Sequence, residues 1–371
     1  VRRRWYLFGS KNFDRMIEDH NLRLTEQQYR DLEIPSYSML ASIEKQGVDV
    51  INGVKSMFNL KFGSLVDVMC FEPNRVKELF YQGGAVKAPT STHKKVVDDV
   101  IEKVLSSKNK APQSGVLKRR EIAVTDDLSL YRTQIINSAI KNQVLKTYSD
   151  EKKFDTIVAS SSLYFKDRIS SIGKNLIKPE MWALALETVK TLKHHKFSAK
   201  YFNHRTPGVD IIYQFKFDTN VNNRRVKGML DCLIVNHNAK VIIPVDLKTG
   251  EAPVKDFPML YLQHRYYIQG ALYREALKSI VSNDFDLTNY VVKPFEFLYI
   301  SKGNPYKPMI FVVEDPMHNS ALIGFTDRYG YDYRGVYDLL EDYYDCTESG
   351  FCDYTQDEEA SKGRVIMDNL L

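Results

Sequence analysis

Three residues of this sequence, Asp231, Asp246 and Lys248, combine chemical capability with an informative spacing. They stand in two apolar runs, Gly228-Met-Leu-Asp231-Cys-Leu-Ile-Val235 and Val241-Ile-Ile-Pro-Val-Asp246-Leu-Lys248-Thr-Gly250, joined by the turn segment Asn236-His-Asn-Ala239. Runs of this kind around a polar turn read as a hairpin. Side chains alternate between the faces of a strand, so Val241, Ile243, Val245 and Leu247 share one face and Asp246 and Lys248 the other. A hairpin that turns near residues 238–239 sets Asp231 directly opposite Asp246. Opposed residues carry Cβ atoms roughly 5 Å apart, where like charges repel, and apolar surroundings add a desolvation cost. A divalent cation relieves both, and carboxylates plus water are the ligands Mg²⁺ or Mn²⁺ prefers. Lys248, on the Asp246 face, can orient an attacking water or balance charge on a phosphate. The plainer alternative is that Asp231 ends a strand and Asp246 makes a surface pair with Lys248. Pro244 predicts an edge position or a bulge for its strand.

The elements around this hairpin follow from periodicity. A helix is predicted over about 258–280, with Arg265, Gln269 and Tyr273 on one face at i, i+4, i+8 and Ile268, Ala271, Leu272 and Ala276 on the apolar side. Such a polar stripe is ordinarily a solvated face; here it directly follows the candidate metal hairpin. Upstream, residues 1–80 read as mostly helical (25–32, 38–47, 65–70, 74–81), 83–92 as turn-rich and 93–106 as helix. Residues 106–114 read as a mobile Lys-rich loop and 127–200 as helical. The period changes near 208: 209–218, 226–235 and 241–247 read as strands, with a turn over 220–223. Further strands are predicted over 294–301 and 309–314, and a last helix over 330–344. Helices, a meander, a helix and more strands make an α/β (α+β) chain with one main sheet.

Composition bounds the rest. The 371 residues carry 52 basic and 47 acidic side chains, a net charge of +5, which permits a nucleic-acid partner without demanding one. Basic residues cluster at Lys94-Lys95, Lys118-Arg119-Arg120 and Arg224-Arg225-Val226-Lys227. Hydrophobic residues at 43% and charged ones at 27% exclude a disordered chain or a fibrous rod. No apolar stretch is long enough to span a membrane. The chain opens on Val1 rather than Met, which suggests a trimmed or internal start. Four scattered cysteines are too few for a disulfide framework and point to a reducing compartment. His194-His195 has no companions at zinc spacing and reads as a surface pair. No phosphate-binding loop of the G-x-x-x-x-G-K-[ST] type is present.

Asp231, then Asp246-Leu-Lys248, then Gln269-Gly-Ala-Leu-Tyr273 resembles the PD-(D/E)XK nuclease superfamily, and the Gln-x-x-x-Tyr element resembles its RecB/RecE-like, phage-type recombination exonuclease branch. The segment Phe62-Gly-Ser-Leu-Val-Asp67-Val-Met-Cys-Phe-Glu72-Pro73 is similar to that branch's first helical motif, and Ser36-Tyr-Ser38 to its lead-in. Residues 295–301, Asn304-Pro-Tyr306 and the helix before Gly350-Phe351 extend the likeness, which spans roughly 36–355.

The resemblance implies a nuclease core with a central mixed sheet flanked by helices. A mainly helical part over 1–200 would precede a sheet-containing core over 201–355 and a tail over 356–371. It implies that Asp231, Asp246 and the backbone carbonyl of Leu247 bind Mg²⁺, with Mn²⁺ as a substitute. Lys248 would position the water, and Gln269 and Tyr273 would organise the site and contact DNA. The family usually places a His where Asp67 stands. Asp67 is then either a third carboxylate ligand or a helix residue with no ligand role. Some relatives carry an iron–sulfur cluster, but the cysteine pattern here lacks the close C-terminal pair, so no cluster is expected. The implied activity is a metal-dependent exonuclease that processes DNA ends in recombination or repair. An endonuclease on the same core and a non-catalytic DNA-binding protein are the alternatives. DNA is the expected partner, with a single-strand annealing or single-strand-binding protein and a homo-oligomer as further expectations. The implied location is the cytoplasm of a bacterial or phage-infected host cell.

Overall fold

A computed structural model describes residues 20–52, 61–83, 86–108, 125–203 and 206–349. Residues 1–4, the Lys118-Arg119-Arg120 cluster, most of the 106–114 loop, Gly350-Phe351, Cys352 and the 356–371 tail lie outside them. The chain divides into two compact units, residues 1–71 with 186–371, and residues 72–185.

The first unit begins with α1 (Glu26–Arg30), α2 (Tyr37–Gln46) and α3 (Lys61–Phe71). Thr25 starts α1 with a capping box in which Thr25 and Gln28 satisfy each other's free backbone N–H groups. The second unit holds α4 (Val76–Leu79), β1 (Phe80–Gln82), α5 (Ser91–Lys108), α6 (Arg132–Lys141), α7 (Asp150–Ser170) and β2 (Asn175–Ile177), with β1 and β2 parallel. Its core is the buried seam of Val96, Val97, Val100, Ile135, Ile157 and Phe165 between the helices. Helix α8 (Pro179–His194) crosses the division.

The remaining elements return to the first unit: β3 (Val209–Val221), β4 (Arg224–Asn236), β5 (Val241–Gly250), α9 (Phe257–Gln263), α10 (Tyr266–Asn283), β6 (Val291–Val292), β7 (Phe295–Ser301), β8 (Asn304–Val313), α11 (Asp315–Ile323), β9 (Phe325–Thr326), β10 (Asp332–Tyr333) and α12 (Val336–Ser349). The main sheet runs β3-β4-β5-β7-β8, with β6 also on β5. The contacts of β5 with β6 and β7 are parallel and the others antiparallel, so the sheet is mixed. Helix α10 packs on it through a side that is buried along almost its whole length, from Tyr267 to Val281. The chain is thus an α/β protein with a central mixed sheet and flanking helices, as its pattern implied. Among the described residues no helix is long and apolar enough to cross a membrane.

Local chemistry explains the connections. Asn222 and Asn223, at φ 49° and 61°, make the two-residue turn between β3 and β4. Asn tolerates this left-handed backbone, which matches the strand twist. The β4–β5 register is the expected one, with Cys232 opposite Val245 and Leu233 opposite Pro244.

Four expectations are corrected. Pro244 is not on an edge strand, because β5 has neighbours on both sides. On its other side β6 pairs with Val241 and Ile242, and β7 begins only at Val245. The missing N–H of Pro244 therefore falls in the break between those two strands. The helix expected over 258–280 is two helices, broken at Arg265, whose φ is 60°. Helix α11 has no counterpart in the sequence reading, and β8 starts five residues before the strand expected from 309. The side chains of the third basic cluster are engaged within the chain. Arg224 pairs with Glu341 and Glu348, Arg225 pairs with Asp218, and Lys227 donates to the carbonyls of Tyr29, Arg30 and Leu32.

Candidate active site

The ladder between β4 and β5 stops at Cys232–Val245, one position short of Asp231 and Asp246. Beyond it a side chain takes over. Asp231 Oδ2 accepts the backbone N–H of Leu247 at 2.9 Å. On the other flank, Gln214 of β3 stands opposite Asp231 in register but drops out of the ladder, with φ 53°. A non-glycine residue in the left-handed region inside a strand is strained. Here it lets Gln214 Nε2 donate to Asp231 Oδ1 at 3.3 Å. Asp231 is therefore fixed from both neighbouring strands.

Asp246 is buried, and Gln269 Nε2 from α10 donates to its Oδ1 at 2.6 Å. Its Oδ2 is ion-paired with the Lys248 ammonium at 2.6 Å. Gln269 Oε1 is buried and has no hydrogen-bond partner. Orphaned acceptors are costly in a low-dielectric interior unless something occupies them. Lys248 also lies 4.7 Å from the Tyr266 ring. Burial works against its charge, but Asp246, the Tyr266 and Tyr37 hydroxyls and Asp231 outweigh that and hold it above the usual lysine range.

Helix α3 reaches β5 through Gly63, where a Cβ would sit 3.1 Å from Thr249 Oγ1. The missing side chain lets the backbone come close. One turn on, and so on the same side of the helix, is Asp67. Burial pushes the Asp67 carboxyl well above the ordinary range, and the charges of Asp231 and Asp246 add to this. Asp67 is thus within electrostatic reach of both aspartates. Tyr273 is buried under Gly228, edge-on to Phe217 at 5.4 Å, with its hydroxyl at the Met229 backbone. A Cβ at Gly228 would fall 2.1 Å from Phe217 and 2.7 Å from Tyr273.

The structure therefore brings Asp231, Asp246, Lys248 and Gln269 together, holds Asp67 near them and keeps Tyr273 beneath them. Arg265, expected on the same stripe, turns away to an ion pair with Glu44. Gln214 was missed: a Gln in an alternating strand gives no sign that its backbone is left-handed. His194 caps its own helix, bonding the Lys190 carbonyl, and joins no metal-binding group. Cys70 and Cys232 are free and buried, while Cys346 is disulfide-bonded, so not every thiol is reduced as expected.

The donor set fits a hard divalent ion in charge and atom type: two carboxylates, beside an amide oxygen of Gln269 that has no hydrogen-bond partner. Among the described residues no three His, Cys, Asp or Glu side chains converge as a complete cage. A two-carboxylate site completed by water or phosphate oxygens is the arrangement Mg²⁺ commonly takes.

Burial, with Asp246 beside it, pushes the Asp231 carboxyl up to about 7, although Lys248, the Leu247 N–H and Gln214 pull the other way. A raised folded-state pKa means the folded chain holds a proton that the unfolded chain has released. The associated stability is present at low pH and lost as pH rises from the ordinary carboxyl range to about 7. In metal-free denaturation curves, wild type should lose on the order of 4 kcal/mol relative to Asp231→Asn across that window. Curves that stay parallel would make Asp231 an ordinary carboxylate.

No family model and no curated protein matches the chain. Among solved structures it is similar to a protein from Eubacterium rectale named "Putative exonuclease", at 13% identity and a TM-score of 0.38, over 94% of this chain and 97% of that one. It is also similar to SSO0001, at 15% identity and a TM-score of 0.22, over 72% and 89%. Likeness this remote assigns no activity, so function rests on the site.

Proposed function

We propose that this chain is a metal-dependent deoxyribonuclease that hydrolyses phosphodiester bonds at DNA ends, as an exonuclease in recombination or repair. The observation that carries the reading is the trio of Asp231, Asp246 and Lys248 on adjoining strands, with the ammonium ion-paired to the buried Asp246 carboxylate at 2.6 Å. Structural ion pairs do not need a second buried carboxylate whose proton is retained to about 7. Perturbed groups of this kind gather where chemistry is done.

Asp231 and Asp246 would hold Mg²⁺, or Mn²⁺ in its place, with the Leu247 carbonyl as a further ligand and Asp67 as a nearby carboxyl that adds to the negative field. The ion when bound supplies Lewis acidity at the phosphate and at water. The chain's own residues supply the rest. Gln269 fixes the Asp246 carboxylate through Oδ1 and leaves Oδ2 to Lys248. Gln214 and the Leu247 N–H fix Asp231. Lys248, held protonated by its neighbours, donates to water or to a phosphate oxygen and offsets charge that grows during in-line attack. Tyr273 supports the strand beneath.

The resemblance to recombination exonucleases adds a single-strand annealing or single-strand-binding partner and a homo-oligomer to the proposal. The deciding experiment incubates end-labelled linear DNA and closed circular DNA with the protein, with and without Mg²⁺. Label released from linear DNA alone, and only with metal, is expected. Cutting of the circle would make the chain an endonuclease, and binding without cutting a DNA-binding protein on the same core.

A further inference from the structure

The hairpin of β9 and β10 presents aromatic surface to solvent. Tyr329 and Tyr331 at its tip are 69% and 68% exposed. The tip is firmly shaped: Asp327 Oδ1 accepts the backbone N–H groups of Tyr329 at 2.8 Å and Tyr331 at 3.0 Å, and Gly330 supplies the left-handed position at φ 85°. Arg328 lies 4.7 Å from the Tyr329 ring centre and donates to its hydroxyl at 2.7 Å. The two large rings are held out by their own turn.

The base of the hairpin is tied to the candidate active site. Phe325 and Tyr333 stack at 5.0 Å and meet Tyr267 edge-on, and the Tyr267 hydroxyl donates to the Arg334 carbonyl at 3.2 Å. Arg265 lies 5.5 Å from the Tyr333 ring. The next residue, Tyr266, is the one whose ring faces Lys248. Lys45 and His264 are exposed in the same neighbourhood. His264 is held below its usual pKa by burial and by the charges of Lys45 and Lys248, which shows positive charge gathered along this stretch. A run of positive groups ending at exposed aromatic faces is how proteins grip single-stranded nucleic acid: cations follow the backbone and rings stack on bases of any sequence.

We propose that the β9–β10 hairpin is a stacking platform for unpaired bases at a DNA end, with Lys45 contacting backbone phosphates on the way to Lys248. This deepens the nuclease reading and rests on it. Stacking on two rings predicts a Tyr329→Ala/Tyr331→Ala double variant with at least about tenfold weaker binding to a single-stranded oligonucleotide. Binding is measured by fluorescence anisotropy in EDTA, where nothing is cut. Binding to a blunt duplex of the same sequence should change less than about threefold. The Tyr329→Phe/Tyr331→Phe variant, which keeps both rings, should bind as wild type does. A wild type that binds and cuts DNA, paired with an Ala variant of unchanged single-strand affinity, would overturn the hairpin role and leave the nuclease reading standing. Equal losses on both substrates would overturn base stacking. A wild type that binds no DNA would end both.

Discussion

Asp246→Asn should lower DNA hydrolysis by at least about a thousandfold, since a metal ligand contributes several kcal/mol to the transition state and each 1.36 kcal/mol is tenfold in rate. The fold should survive. Asn keeps an oxygen that can accept the Gln269 amide bond, and the side chain sits in a strand anchored on both sides. The change removes one of the repelling carboxylates and also the partner of the Lys248 ammonium, with Asp231 left as its counter-charge, so unfolding in EDTA should stay cooperative. Turnover on linear duplex DNA and a thermal melt are the two measurements needed. Cleavage within tenfold of wild type would take Asp246 out of the site.

Lys248→Gln should separate catalysis from binding. A positioned proton donor contributes on the order of 10²–10⁴ to a rate. One cation among many basic side chains adds little to affinity for a polyanion. Turnover should fall by that range, while the dissociation constant for DNA in EDTA moves less than about threefold. Gln is preferred to Ala because it keeps the length and a donor toward the buried Asp246 oxygen. The ammonium also competes with a cation for Asp246 Oδ2, so Mg²⁺ affinity by calorimetry should not weaken. An affinity loss for DNA equal to the loss in turnover would make Lys248 a phosphate anchor.

The part of this site that could be read from the sequence was the part set by local periodicity. Two-residue alternation and a polar turn gave the β4–β5 register, and the register gave the facing aspartates. What alternation cannot show is which strand comes next. Pro244 read as an edge signal because a central strand would need its N–H, yet the neighbour changes from β6 to β7 at that point. The broken helix at Arg265 was equally hidden, because the residue that draws Arg265 aside is Glu44, far away in sequence. Gln214 depends on a backbone state that only the assembled sheet imposes. Asp67 was legible as a motif position, but its nearness to the aspartates required knowing that Gly63 faces Thr249.

The Leu247 amide, bonded to the Asp231 side chain rather than to a strand, makes the two aspartates unequal as targets for an inert form of the protein. Truncating Asp231 would orphan that amide at a cost of about 1–3 kcal/mol and fray the end of the sheet along with the chemistry. Asp246 holds no backbone group in this way. A form meant to capture DNA intact, for crystallisation or cross-linking, should therefore be silenced at Asp246. An inactive version truncated at Asp231 confounds a lost ligand with a loosened frame.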